Sequence, residues 1–295
     1  MFSIIVPSYN RQSELLCLLQ SLCEQSLQNF EVIVVDDCSN QPIRIAQSYP
    51  FKVSLIRNQH NQGPAQSRNI GAKSAVNNWL LFLDDDDRFV AEKCALLTQH
   101  IAQQPQVNFI YHPAICQMVN EGFCYQTKPY QDIQQLTLVN LLTANKIGGM
   151  PMLAVKKAFF VALGGLTPEL NALEDYEFVL KAVKHKDFRP HFVAEALTLC
   201  RFQTQVMSVS KNIANTQQAL NYIEQHYVQN KQQQQQFSQN RLAILAYPYL
   251  MSLSRRGAKY YYRMAFVQGF KPKMLVIAMI ILLSPKLAVN LKRFI

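Results

Sequence analysis

No acidic residue follows Glu224 in this chain of 295 residues. Up to that point the charges nearly balance, with 18 Lys and Arg against 19 Asp and Glu; beyond it there are 11 basic residues and no acid. The net charge of +10 therefore belongs to the C-terminal quarter. A localised basic segment points to a polyanion or an anionic membrane face as partner. Cysteine pairs at CxxC spacing are also missing. The seven cysteines (17, 23, 38, 94, 116, 124 and 200) are scattered and odd in number. That excludes a disulfide framework and a zinc site, and fits a reducing cytosol. No basic segment with a long apolar stretch precedes the first strand, so no signal peptide is expected. The apolar run from Met274 to Leu283 has ten residues, against the roughly 20 that span a bilayer.

What is present is a run of apolar residues, Trp79-Leu80-Leu81-Phe82-Leu83, that ends in four consecutive aspartates, Asp84 to Asp87. The apolar part reads as a buried strand. Four adjacent like charges repel one another, and a divalent cation among the carboxylates would offset that, since hard cations prefer oxygen ligands. The alternative is a solvated acidic loop, with Asp87 capping a helix that starts near Phe89.

Strands and helices alternate before this point. Strands are expected at residues 2–6, 30–35, 53–56 and 79–83, and helices at 12–25, 43–48 and 65–76. Gly63-Pro64 opens the last of these helices, proline being tolerated there. This pattern predicts an α/β fold with a doubly wound, mostly parallel sheet flanked by helices. Ligands of such sheets sit beyond the carboxyl ends of the strands. Residues 8–11, 36–39 and 84–87 all follow strand ends, so these polar clusters should converge on one rim. Further along, a helix is expected at 90–103, strands at 107–111, 114–119 and 152–155, a helix at 156–162 ended by Gly164-Gly165, and a helix at 174–186. Strands follow at 190–193 and 196–202. Residues 213–236 are rich in Gln and Asn and read as a polar helix or linker.

Five segments in order carry a resemblance. They are Val6-Pro7-Ser8-Tyr9-Asn10-Arg11, Val34-Val35-Asp36-Asp37-Cys38-Ser39, residues 61–71 with Gly63-Pro64 and Ser67-Arg68-Asn69, Phe82-Leu83-Asp84-Asp85-Asp86-Asp87, and Gly164-Gly165-Leu166 before Glu174-Asp175-Tyr176-Glu177. With these the chain resembles the family 2 glycosyltransferases, which have the GT-A fold. The resemblance covers residues 2–202. It implies a GT-A domain at 1–210 and a helical, basic extension at 211–295.

The resemblance also assigns roles. Pro7, Tyr9, Asn10 and Asp37 would hold the uracil and ribose of a nucleotide-sugar donor. A carboxylate at Asp37 can accept the base N–H; otherwise it is a turn former with Ser39. Arg68 would reach the diphosphate or orient the aspartates; otherwise it is a surface arginine. Asp86 would ligate Mn²⁺ or Mg²⁺, with Asp84 beside ribose or the ion's water shell; Asp85 belongs to the same donor set. Asp175 would be the catalytic base, or simply an acid complementing a helix dipole. Gly149, Met150 and Glu174 would meet the acceptor. Many relatives carry a histidine after the last strand; here residues 201–208 offer Arg201 and glutamines instead. His112 and His191 read as structural.

The implied activity is an inverting, metal-dependent transfer of one sugar to a glycan or lipid-linked acceptor in surface polysaccharide or lipopolysaccharide synthesis. A processive synthase is disfavoured, because transmembrane spans and a QxxRW motif are absent. The alternatives are a nucleotide-sugar-binding protein without chemistry, and a sugar nucleotidyltransferase, whose glycine-rich N-terminal loop is missing from residues 2–11. The 274–283 run, with Lys271, Lys273 and Lys286 around it, suits a helix lying in the membrane interface. That places the protein on the cytoplasmic face of the inner membrane, with no nucleic-acid partner.

Overall fold

The computed structural model describes residues 1–204 and 212–291. The expected boundary at 210/211 lies outside them. Four parallel strands form the first half of the sheet: β1 (Phe2–Ser8), β2 (Phe30–Asp36), β3 (Lys52–Arg57) and β4 (Trp79–Phe82). Two helices, α1 (Gln12–Leu22) and α2 (Gly63–Ser74), interleave with them. β1, β2 and β4 are buried along nearly their whole length, as strands covered on both faces are. Alternate residues feed two cores. Ile5, Ile33, Val35, Leu80 and Phe82 join one; Phe2, Ile4, Val6, Val32, Val34 and Leu81 join the other, with α1.

The chain continues through β5 (Arg88–Phe89), α3 (Lys93–Gln103), β6 (Phe109–Tyr111), β7 (Ala114–Met118), β8 (Phe123–Gln126), α4 (Leu138–Thr143), β9 (Leu153–Lys156), α5 (Lys157–Ala162), α6 (Glu174–Lys184), β10 (Pro190–Phe192) and β11 (Thr198–Phe202). The main sheet has the order β10-β6-β9-β4-β1-β2-β3. Only β9 runs against its neighbours there. A second sheet, β5-β11-β7-β8, packs beside it. Register places Ser8 opposite Asp36 and Ile5 opposite Phe82. The polar strand ends therefore lie at one level, as the alternation of strands and helices implied.

Two expectations fail locally. No helix forms at 43–48. The N–H of Ile43 is taken by Asp36, and Arg44 exchanges two hydrogen bonds with the Gln12 side chain. Side chains thus satisfy backbone groups that a short helix would need. The helix expected from residue 90 starts at Lys93, because Val90 donates to the Leu197 carbonyl and Phe89 pairs with β11. Of the two readings of the glutamine-rich segment, the helix holds. It forms α7 (Ile213–Tyr227) and the start of α8 (Lys231–Met251). Asn212 and Asn230 cap these helices, the role short polar side chains fill best.

Then follow α9 (Ala258–Met264), α10 (Pro272–Leu283) and α11 (Pro285–Asn290). Leu220, Ile223, Tyr227, Phe237, Leu245 and Ala246 of α7 and α8 share one core with α6 and the sheet. Two polar clasps reinforce that packing. Asn240 donates to the Tyr176 hydroxyl at 3.0 Å and to the Leu142 carbonyl, and the Tyr227 hydroxyl meets Glu177.

Helix α2 lies close on the sheet at Gly71. A Cβ there would stand 2.5 Å from Cγ2 of Ile5. Overpacking of this kind costs about 1–3 kcal/mol. Gly71→Ala should lower the urea midpoint accordingly; an unchanged midpoint in chemical denaturation would show that β1 and α2 are not held as tightly as described.

Candidate functional site

A cavity of about 890 Å³ opens at the strand-end rim. Its floor comes from Pro7, Ser8, Tyr9, Asp37, Asp84, Asp85 and Asp86, and one side from Gly63, Pro64, Ser67 and Arg68 of α2. Asn171 to Asp175, at the start of α6, form another side. Strained backbone clusters here: Asn10 (φ 55), Cys38 (φ 64) and Leu173 (φ 58) are all left-handed. Such conformations persist where surrounding contacts over-determine them.

Arg68 ties the rim together. It is 5 % exposed, so it is not a surface arginine. One terminal nitrogen donates to Glu174 at 2.7 Å and the other to Asp84 at 2.5 Å. Burial alone would lower its pKa, but the facing carboxylates of Asp84 and Glu174 more than offset this, and the net shift is upward. Both terminal nitrogens serve carboxylates, so Arg68 orients the acids.

The four aspartates divide in two. Asp85 and Asp87 are buried. Asp85 accepts from the Ser8 hydroxyl at 2.8 Å and pairs with Arg11 at 3.1 Å. Burial pushes its pKa up to about 7, against the pull of Arg11 and Ser8. Asp87 accepts the Arg201 N–H of β11 at 3.0 Å. It anchors the loop to the second sheet and does not cap α3. Burial, then the neighbouring Asp84 and Asp86, hold its pKa well above the carboxylate range. Asp84 and Asp86 are the open pair, with side chains 37 % and 38 % exposed, and both line the cavity. Asp86 meets Arg11 at 3.0 Å.

Among the described residues no cluster of three His, Cys, Asp or Glu is arranged to hold a metal. Two accessible carboxylates still suit Mn²⁺ or Mg²⁺ in a site where substrate phosphates complete the shell, since such ions are usually held by one or two carboxylates plus phosphates.

Asp37 is buried and accepts three hydrogen bonds, from the N–H groups of Gln62 and Gly63 and from the Asn58 amide, each at 2.8 Å. The expected turn with Ser39 is made instead by Asp36, whose carboxylate accepts the Ser39 N–H at 2.8 Å. Tyr9 is 44 % exposed in the cavity wall. Asn10 lies behind it, donating its N–H to Ser39 and accepting from Asn40. Asn69 clasps Leu166 through two hydrogen bonds of 2.8 and 2.9 Å. That bond pair is the contact between the 61–71 and Gly164-Gly165-Leu166 segments.

Asp175 lines the cavity and accepts the Tyr176 N–H at 2.7 Å. Burial, then the adjacent Glu174, raise its pKa, and Arg68 only partly offsets them. Gly149 lies against it: a Cβ on Gly149 would stand 3.0 Å from Oδ2 of Asp175. Met150 does not join this surface. It is 1 % exposed, packed in the core, because the apolar side chain buries where the loop turns toward β9. Arg201 holds Asp87 through its backbone alone, and residues 205–208 lie outside those described. His112 is fully buried against the Pro113 carbonyl, and His191 contacts His100 at 3.0 Å; neither lines the cavity.

Several residues of the site escape a reading of the sequence. Arg11 pairs with two aspartates of the run; its place at the end of the 6–11 segment marks it for the rim but gives no partner. Lys93 is fully buried, donating to the Pro151 carbonyl at 2.7 Å and to Thr198 at 2.9 Å, with the Phe89 ring 3.7 Å away. Burial lowers its pKa to about 7. It fixes the loop that presses Gly149 on Asp175. The last wall comes from the C-terminal extension: Asn215, Thr216, Ala243, Ile244, Tyr247 and Pro248. Nothing in their spacing marks them.

The sequence model described as Glycosyl transferase family 2 matches residues 3–156. A protein of Haemophilus influenzae called an uncharacterized glycosyltransferase is 52 % identical over 293 residues, 99 % of each chain. The chain belongs to glycosyl transferase family 2. This glycosyltransferase is also 30 % identical over 192 residues to the poly(ribitol-phosphate) beta-N-acetylglucosaminyltransferase TarS of Staphylococcus aureus, covering 61 % of this chain and 32 % of TarS. Its fold matches the TarS 1-349 structure in complex with UDP-GlcNAc, with a TM-score of 0.62 at 18 % identity over 99 % and 91 % of the two chains. It also matches the mannosyltransferase PcManGT of Pyrobaculum calidifontis in complex with GDP-Man and Mn²⁺, with a TM-score of 0.60 at 17 % identity over 99 % and 86 %. The GT-A fold is thereby established, with its helical C-terminal region.

The buried Asp85 sets a pH dependence. Its folded-state pKa lies above the unfolded value, so its contribution is fully present below about pH 4 and is lost as pH rises through about 7. For such a group the slope approaches about 1.4 kcal/mol per pH unit. Asp85→Asn should flatten this decline, so that the variant gains on the parent between about pH 4 and about pH 7. Parallel thermal-melt profiles of the two proteins would contradict the assignment.

Proposed function

We propose that this glycosyltransferase moves one sugar from a UDP-sugar to a hydroxyl of a glycan or lipid-linked acceptor, with inversion, at the cytoplasmic face of the membrane. The observation that carries this reading is that Asp84, Asp86 and Asp175 open into one cavity, with Arg68 bridging their supports. The UDP-GlcNAc complex of TarS and the GDP-Man and Mn²⁺ complex of PcManGT support a nucleotide-sugar donor and a divalent ion.

In this reading Tyr9 offers the nucleobase a face. Asp37, with acceptor capacity left on its carboxylate, takes a base N–H. Asp84 and Asp86 would hold Mn²⁺ or Mg²⁺, Asp86 first. The chemistry such an ion supplies is neutralisation of charge on the departing nucleoside diphosphate. Asp175 takes the proton of the acceptor hydroxyl as its oxygen bonds to the anomeric carbon and the bond to the diphosphate oxygen breaks. Attack opposite the leaving group inverts that carbon. A raised pKa suits a base that must hold a proton through turnover and shed it near neutrality. Glu174 is committed to Arg68, so it keeps the acceptor side rigid while Gly149 leaves room beside Asp175.

Transfer from a UDP-sugar should stop in EDTA and return with Mn²⁺, and Asp86→Ala should abolish it; full activity in EDTA would remove the metal from the scheme. Asp175→Asn should bind UDP as the parent does while transfer falls by about 10²–10⁴-fold. The parent's rate should rise with pH along a limb displaced upward from an ordinary carboxyl. Undiminished transfer by the asparagine variant would rule out Asp175 as the base.

A further inference from the structure

Beyond Lys273 in its first turn the helix α10 is apolar on every side, yet only one side is covered. Ala278 and Ile281 are buried against Leu250 and Ala258. Val276, Met279 and Leu283, on the opposite face at helical spacing, are 49 %, 55 % and 77 % exposed. Leu282 and, in α11, Leu287 are also about half exposed. Before α10, Tyr262, Phe266 and Phe270 form an exposed ladder of rings with centroids 5.3 and 5.8 Å apart. An apolar surface this extended marks a binding face.

The charges around it choose the occupant. Arg255, Arg256, Lys259, Arg263, Lys273 and Lys286 are exposed, and no acid occurs after Glu224. A cavity of about 520 Å³ beside the ladder is lined by Tyr262, Phe266, Arg241 and Arg263, although Arg241 already pairs with Glu224. A second copy of the chain would bring the same cations against themselves. A nucleic acid would neutralise the cations and leave the apolar face in water. An anionic bilayer satisfies both. At 1.5 Å per residue, the twelve residues of α10 reach about 18 Å, short of the roughly 30 Å hydrocarbon core. Among the described residues no helix is long and apolar enough to cross.

We propose that the outer face of α10, with the Tyr262–Phe266–Phe270 ladder, docks in the plane of an anionic lipid bilayer. The geometry has a consequence for the transferase site. Ala243, Ile244, Tyr247 and Pro248 of α8 line the cavity, while Leu250 and Met251, within the next turn, hold α10 and α11. The docked face and the cavity wall are thus joined by one helix end. The docking deepens the membrane placement proposed above and does not depend on the transfer chemistry.

The test is flotation of the full chain with vesicles of phosphatidylcholine alone, and of phosphatidylcholine mixed equally with phosphatidylglycerol. Binding is expected to the mixed vesicles, weakening as salt is raised. Met279→Gln with Leu283→Gln should bind them at least about tenfold more weakly, from the apolar burial lost. UDP binding and the thermal midpoint should be unchanged, since both side chains face solvent. Lys273→Gln with Lys286→Gln should weaken binding and its salt dependence. Equal binding to both vesicles, or none, overturns the proposal, as does undiminished binding by the glutamine pair. A dimer that the glutamine pair dissolves, without vesicle binding, would assign the face to a second copy.

Discussion

One buried cation ties the two sides of this site together. Arg68 reaches Asp84 at the end of β4 and Glu174 at the start of α6. Without it two carboxylates would face each other across a partly dry cavity. Removing one member of a buried ionic group costs about 3–5 kcal/mol, because the remaining charges lose their counter-charge. The arrangement therefore depends on α2, which carries Arg68, being seated closely on the sheet. Gly71 permits that approach, and Asn69 fixes the same helix to the Gly164-Gly165-Leu166 turn. Conformational strain at Leu173 is kept at the mouth of the site by this frame.

The C-terminal extension is part of the catalytic body. α7 and α8 share the main core, clasp α6 through Asn240 and Tyr227, and supply one wall of the cavity. Farther out, α9 to α11 turn the acid-free end of the chain into an exposed apolar and basic surface. The cavity thus has one side formed by the strand ends and another formed by the tail.

Much of this frame is readable in the linear chain. Short apolar runs closing on Ser8, Asp36 and Asp84 announce parallel strands with a polar rim, because strands buried on both faces are mostly apolar along their length; Ser3 and Glu31 are buried there as a hydrogen-bonded pair. Asp37, Asp84, Asp86 and Asp175 do meet in one cavity. Other features were not readable. The helix expected at 43–48 is lost to side chains of Asp36 and Gln12. Met150 goes to the core although its loop borders the site. Lys93 looks like an ordinary helix-start lysine, yet it is buried under the loop it fixes.

The alternation of elements, the acidic strand ends and the acid-free tail follow from local periodicity and residue type, and the five motifs in order carry the family resemblance. The tertiary structure decided which carboxylates act together. Four identical aspartates separate into two buried and two open: Ser8 holds Asp85 and the Arg201 backbone holds Asp87, while Asp84 and Asp86 reach Arg68 and Arg11 from the cavity side. Arg68 and Glu174 meet across 106 positions of chain. Contacts at that separation arise from packing of the sheet, the helices and the tail. No spacing within a short stretch encodes them.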